Sequence, residues 1–384
     1  MIFSINFSSK YKKSAVLLLT FYLFVLSCAP VREPLKFALV VSPPSLEKLQ
    51  IAAFPVENLS GTRAPARKIG ESLRAQLKKE GLNILDDNAL EEFMSGHRLR
   101  YTGALDIETA RAFRDEIGID AVLITSLELY DESYPPKISL ISRLVFTGDT
   151  PQILWMDSAG LSGDESPGLL GLGLIEDPEI LLKNALENLS RSLADYISVG
   201  KQPIAVSKQG KDHKFYPKFF YRSPILSPDL KYRIAVMPFL NKSERKNAGD
   251  IMMLHFLETL RQFENFDVIE PGIVRQNLLS FRIIMNEGIS FANAGLIFST
   301  LEADADLILS GTVVDYQDYH GSEGTAKVDF SVLVIEKKSH EIVWTSKSYN
   351  TGDEGVFFFD FGKVYTAHIM ASEMISAIGA LLAE

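Results

Sequence analysis

Two stretches of this chain, "IAAFPVENLS" from Ile51 to Ser60 and "IAVMPFLNKS" from Ile234 to Ser243, agree at five of ten positions. The match continues in order. Asp120, Ala121, Leu123, Ile124 and Ser126 align with Asp304, Ala305, Leu307, Ile308 and Ser310, and the only two tryptophans, Trp155 and Trp344, end "QILW" and "EIVW". Gly-Asp-Glu follows each tryptophan, at Gly163–Glu165 and Gly352–Glu354, and Ala185, Glu187, Ser190 and Ala194 align with Ala371, Glu373, Ser376 and Ala380. Five blocks in one order, with small drifts in spacing, mark an internal duplication. A length of 384 residues fits two units that each bury a core.

Each copy has the same alternation of patterns. A nearly continuous apolar stretch (Arg233–Phe239 in the second copy) suits a strand covered on both faces. "ESLRAQLKK" and "IMMLHFLETLRQF" place apolar residues at helical spacing, and "LNIL" and "FDVI" suggest short strands. "DIETARAFRDEIG" reads as a helix with Asp106 as its cap. Three further strands follow in each copy, with turns at "TGDT" and "KKSH", and a long helix closes each, near Asp177–Ile197 and Lys363–Leu382. The expected class is α/β: two tandem mixed-sheet modules flanked by helices, each ordered β-α-β-α-β-β-β-α. The expected boundaries are 1–27 leader, 28–45 tether, 46–199 first module, 200–229 linker and 230–384 second module, each module folding by itself.

The amino terminus constrains location. Lys10, Lys12 and Lys13 precede an apolar run from Ala15 to Leu26. As a helix this run rises only about 18 Å, short of the roughly 30 Å of a bilayer core, so it is expected to be a signal segment. "VLSC", ending at Cys28, resembles a lipobox, which implies cleavage after Ser27 and acylation of Cys28. Cys28 is the only cysteine, so no intrachain disulfide or cysteine metal site can form. The resemblance implies a membrane anchor through lipid on Cys28. Ala29 replaces the Asp that often retains such proteins at the inner membrane, so the outer membrane, facing the periplasm, is expected. Removing residues 1–27 takes the net charge from −10 to about −13, and so acidic a chain is not expected to bind nucleic acid.

"IAVMPFLNKS", the following helix, "FDVIEPGIVRQNL" and "ADADLILSGTVVDY" resemble the CsgG-like and TolB amino-terminal-like modules of bacterial envelope proteins, a structural group that includes the LpoB-like lipoproteins. The resemblance implies a binding, assembly or regulatory module with a periplasmic or outer-membrane protein partner. Its alternatives are a secretion-channel subunit of the CsgG type and a hydrolase of envelope polymers. The oligomeric state stays open. A pore-forming chain needs alternating strands of about 9–11 residues, and neither "DESYPPK", "YQDYHGSEGT" nor the apolar segments "GLLGLGLIE" and "GVFFFDFGK" alternate in that way.

The residues offer no catalytic constellation. The six histidines are scattered without metal-ligand spacing, no GxSxG is present, and "GVFFFDFGK" followed by Val364 lacks phosphate-loop spacing and hydroxyl. No metal, cofactor or catalytic residue is expected, and the chain is read as non-enzymatic. Asn58 with Ser60, Asn241 with Ser243, and the Asp-Glu pairs suit turn chemistry, and both tryptophans suit the core. Two features are less ordinary. The segments after Gly-Asp-Glu are apolar where a polar loop is usual; Leu169, Leu170, Leu172, Phe357, Phe358, Phe359 and Phe361 either tuck under the last helix or face a partner. The basic, aromatic "KFYPKFFYR" between the copies either docks on an anionic surface or packs Phe215, Phe219 and Phe220 against a module.

Overall fold

A computed structural model of the chain describes residues 46–165, 173–200, 213–280, 282, 305–319, 324–356 and 362–384. The first copy comprises β1 (Ile51–Ala53), β2 (Glu57–Asn58), α1 (Ala66–Lys79), α2 (Asp87–Gly96), α3 (Ile107–Ile117), β3 (Ala121–Asp131), β4 (Lys137–Phe146), β5 (Gln152–Ser162) and α4 (Pro178–Val199). The second comprises β6 (Phe219–Arg222), β7 (Tyr232–Val236), β8 (Leu240–Asn241), α5 (Ala248–Leu260), β9 (Phe266–Val268), α6 (Pro271–Ser280), β10 (Leu307–Gln317), β11 (Lys327–Glu336), β12 (Ile342–Thr351) and α7 (Ala367–Ala383). Helix ends follow the expected chemistry: Asp86, Asp106, Asp177 and Thr366 each accept a backbone N–H at the start of a helix.

Two mixed sheets result, as the crossovers and meanders require. The first runs β1-β3-β4-β5 with β2 also on β3, and the second β6-β12-β11-β10-β7-β9 with β8 also on β10. In both, the opening strand lies parallel to the first of the three long strands, β1 to β3 and β7 to β10, and the three long strands are antiparallel to one another. "FDVI" forms β9, whereas "LNIL" contributes a single parallel bridge from Ile84 to Ile51. "KFYPKFFYR" is not a linker throughout: β6 pairs antiparallel with β12 and extends the second sheet by one edge strand.

The duplication is confirmed, with two corrections of register. Asp120 and Asp306 each accept the backbone N–H of the residue before the repeated Ile-Ala, from Gln50 at 2.8 Å and Arg233 at 2.9 Å. Asp120 therefore corresponds to Asp306, not Asp304. Side chains alternate with a period of two along a strand, so a slip of one period keeps every apolar residue on its own face and is invisible to pattern matching. The closing helices show the same effect. Ile175 and Val364 donate to Gly163 and Gly352, the caps Asp177 and Thr366 follow, and the buried sets from Leu181 to Leu193 and from Met370 to Leu382 then coincide. Ala185 falls on Met374, not Ala371; a shift of nearly one helical turn had left the apolar stripes superposed. Both Gly-Asp-Glu glycines are required by close approach, since a Cβ would lie 2.2 Å from the Ile175 carbonyl oxygen at Gly163 and 2.4 Å from that of Val364 at Gly352.

Both copies belong to one unit, Pro43–Glu384. Trp155 and Trp344 mark the inner face of each sheet, and both are buried. In the first module α1 and α4 cover that face. In the second, α5 and α7 cover it, and they also join a core with Val122, Ile124, Ile141, Val145 and Met156 on the outer face of the first sheet. This double contact explains their composition. Within α5 every residue except Asp250 and Glu258 is buried, whereas α1 buries only Ile69, Gly70, Leu73 and Leu77. The layers therefore alternate: helices, sheet, helices, sheet. The expectation of two self-sufficient modules meets a shared core at this point. Among the described residues, no helix is long and apolar enough to cross a membrane.

Candidate functional site

Cys28, Leu169, Leu170, Leu172, Phe357, Phe358, Phe359 and Phe361 lie outside the described residues. The motif residues that are described have structural work. Asn58 Oδ1 accepts from the Ser60 N–H and hydroxyl at 3.0 and 2.6 Å, and Asn241 does the same for Ser243 at 3.0 and 2.7 Å. Their amides donate to the Thr62 and Arg245 carbonyls, closing equivalent turns. Asp164 accepts from the Ser162 hydroxyl and, at 3.2 Å, from Tyr319, while Glu354 pairs with Lys218 at 3.0 Å.

The two sheets differ in what meets their outer faces. β3 and β4 are buried on both sides for most of their length, because the second module closes over the outer face. β11 and β12 instead alternate buried and accessible residues; their outer face packs with α6 at the Leu333–Ile335 end and is open to solvent toward β6. Tyr349 is 52% exposed, Phe219 61%, Tyr221 48% and Val314 47%. Strand parity places Phe219 and Tyr221 beside Lys347 and Thr345 on this face, with Tyr349 and Lys327 nearby, while Phe220 turns to the inner side and stacks on Trp344 at 5.3 Å. The connector aromatics thus divide: Phe215 packs against the core, Phe220 stacks on Trp344 while staying 44% exposed, and Phe219 and Tyr221 lie on the outer face.

Polar groups at the junction of the modules are buried or partly buried. Arg143 on β4 donates Nε to Glu270 at 3.1 Å and Nη2 to Glu270 at 3.0 Å and to the Gly103 carbonyl at 2.6 Å. Glu270 also accepts the Leu105 N–H at 3.2 Å, and the two side chains are 1% and 0% exposed. Arg261 at the end of α5 donates to the Ile153 and Leu154 carbonyls on β5. Arg245 reaches the Glu128 carbonyl, and Asn247 that of Leu59 at 3.2 Å.

The third junction group is a carboxylate between two imidazoles. A bulge interrupts the β3–β4 ladder at Glu128, and the equivalent bulge in β10 carries Val314. The bulge turns Glu128 into the second module. His368 Nδ1 lies 2.5 Å from its Oε2, His255 Nε2 lies 3.4 Å from the same oxygen, and the Tyr316 hydroxyl donates to Oε1. Burial pushes the Glu128 carboxyl up, but His368 and His255 outweigh it and hold the group well below the usual carboxylate range. Burial lowers His255 despite Glu128, whereas at His368 attraction to Glu128 overcomes burial and raises it. Sequence reasoning missed this group because no spacing joins residues that only module packing brings together. The available signal was two histidines inside largely apolar helices, "MMLHFLETL" and "AHIMASEM".

No family model matches the sequence, and no curated protein matches it. Among solved structures, the PelC dodecamer from Paraburkholderia phytofirmans is similar at 16% identity over 43% of this chain and 96% of its own, with a TM-score of 0.29. Lipoprotein GNA1162 from Neisseria meningitidis is similar at 20% identity over 39% and 99%, with a TM-score of 0.28. The LpoB C-terminal domain from Escherichia coli is similar at 19% identity over 30% and 82%, with a TM-score of 0.25. At such TM-scores nothing about activity or partners passes to this chain. The matches lend no support to the CsgG-like and TolB amino-terminal-like part of the resemblance.

Proposed function

We propose that this chain is a lipid-anchored, non-enzymatic component of the bacterial envelope, held through Cys28 at the periplasmic face of the outer membrane, and that it binds another envelope protein. The observation that carries the binding half is the asymmetry between the duplicated sheets. The outer face of the first is closed by its sister module, whereas its counterpart in the second exposes Phe219, Tyr221 and Tyr349. Lys327 and Lys347 outnumber Asp329, which stands opposite Tyr349, around these rings on a chain whose net charge is −10, so the complementary partner presents acidic side chains around an apolar patch. The anchoring half rests on the lipobox at Cys28.

Replacing Tyr221 and Tyr349 together by Glu places two negative charges on this face without touching the core. Purified from its own envelope, the native lipoprotein is expected to bring one protein in constant ratio. The double variant, equally stable and still lipidated, is expected to lose it. Retention of that protein at an unchanged ratio by the folded variant contradicts the reading.

A further inference from the structure

Glu128, His255 and His368 come from β3 of one module and α5 and α7 of the other, with Glu128 and His368 separated by 240 residues in sequence. One donor atom from each lies within 4.8 Å of the others, and all three residues are buried. We propose that this group binds a divalent transition-metal ion of the zinc class, bridging the two modules. Two imidazole nitrogens and a carboxylate oxygen are a donor set that zinc favours. A tetrahedral ion with bonds of about 2.0–2.1 Å holds its ligand atoms roughly 3.3 Å apart. The His255 Nε2 to Glu128 Oε2 separation of 3.4 Å already meets this requirement. The His368 Nδ1 to Glu128 Oε2 hydrogen bond, at 2.5 Å, must lengthen as the ion replaces the shared proton.

The surroundings suit a cation. Tyr316 donates to Oε1 of Glu128, which orients the carboxylate and leaves Oε2 toward the imidazoles. Asp318 and Glu258 also act on His368, although burial raises both carboxyls, that of Glu258 to about 7. His255 turns Nε2 toward Glu128, while among the described residues its Nδ1 is buried without a hydrogen-bond partner and takes no part in the site. Gly160 on β5 makes room for the His368 ring, since a Cβ there would lie 2.3 Å from Cδ2. A bound ion accounts for a glycine, two buried imidazoles and a bulged glutamate with one function.

The test uses the full lipoprotein in detergent, stripped with chelator and then dialysed against Co²⁺ or Zn²⁺. The expected results are one Co²⁺ per chain with visible ligand-field absorption, bleached by Zn²⁺, and a thermal midpoint raised by Zn²⁺. His255→Gln and His368→Gln should each lose stoichiometric uptake and the midpoint shift, while His97→Gln, on an exposed histidine paired with Glu116, should keep both. A folded wild type that retains no stoichiometric metal overturns the proposal, as does uptake that survives both triad substitutions. Should the variants not fold, X-ray absorption of the cobalt-loaded wild type decides: two imidazoles in the coordination shell support the site, and an oxygen-only shell or no bound cobalt overturns it.

Discussion

Replacing Glu270 by Leu strands the Arg143 guanidinium in an interior where neither side chain of the pair is more than 1% exposed. Arg143 loses both of its carboxylate bonds and keeps only the Gly103 carbonyl, and the Leu105 N–H loses its acceptor. Breaking one side of such a pair costs about 3–5 kcal/mol, and an orphaned N–H adds about 1 kcal/mol. Replacing both partners behaves differently. Arg143 corresponds to Leu333 in the second copy, because Leu144 and Val334 stand opposite the two tryptophans. Arg143→Leu with Glu270→Leu removes both desolvated charges, and such exchanges are often neutral or stabilising. The double variant is therefore expected within about 2 kcal/mol of the native protein, leaving a coupling of several kcal/mol in the cycle. The assay is urea unfolding followed by tryptophan fluorescence, with Trp155→Phe and Trp344→Phe backgrounds so that each module reports separately. Both tryptophans are expected to report one transition that moves together in the single variants. Two separate transitions, with Glu270→Leu moving only that of Trp344, would refute the claim that the junction couples the modules.

Other outcomes follow from single sites. Gly163→Ala and Gly352→Ala should destabilise to a similar degree, because each Cβ meets a carbonyl oxygen at the same point of the duplicated fold; calorimetry of both variants checks this. Burial raises the Glu57 carboxyl, against the opposing Ser126 hydrogen bond and Arg143. The unfolded chain then gives up that proton at lower pH than the folded one, so this group's contribution to stability falls as pH rises from the ordinary carboxylate range through the raised value. Glu57→Gln should flatten that part of a stability-versus-pH curve measured by denaturant titration. Cys28→Ser should leave an unprocessed chain that no longer carries lipid, read by mass spectrometry and detergent partitioning.

The duplicated pattern carried the fold because each local signal was strong: apolar opening strands, capped helices and tryptophans in register. Its register errors were those that periodicity hides, a slip of two at Asp120 and of nearly one turn at Ala185. The junction was harder to read. Glu128 and Arg143 occupy positions where the second copy has Val314 and Leu333, so the departures from the repeat, not the repeat itself, held the information about how the copies meet. β6 escaped notice for a related reason: a strand that completes an edge needs no counterpart in the repeated core.

Photo-cross-linking in living cells tests the central claim most directly. A benzophenone amino acid at Tyr349 samples the open face of the second sheet, and one at Lys78, on exposed α1, samples the opposite layer. The account predicts a single dominant protein adduct from position 349, absent from position 78 and lost when Tyr221→Glu is added. Adducts equal in yield at the two positions, or none at 349 in a lipidated and folded protein, would contradict it.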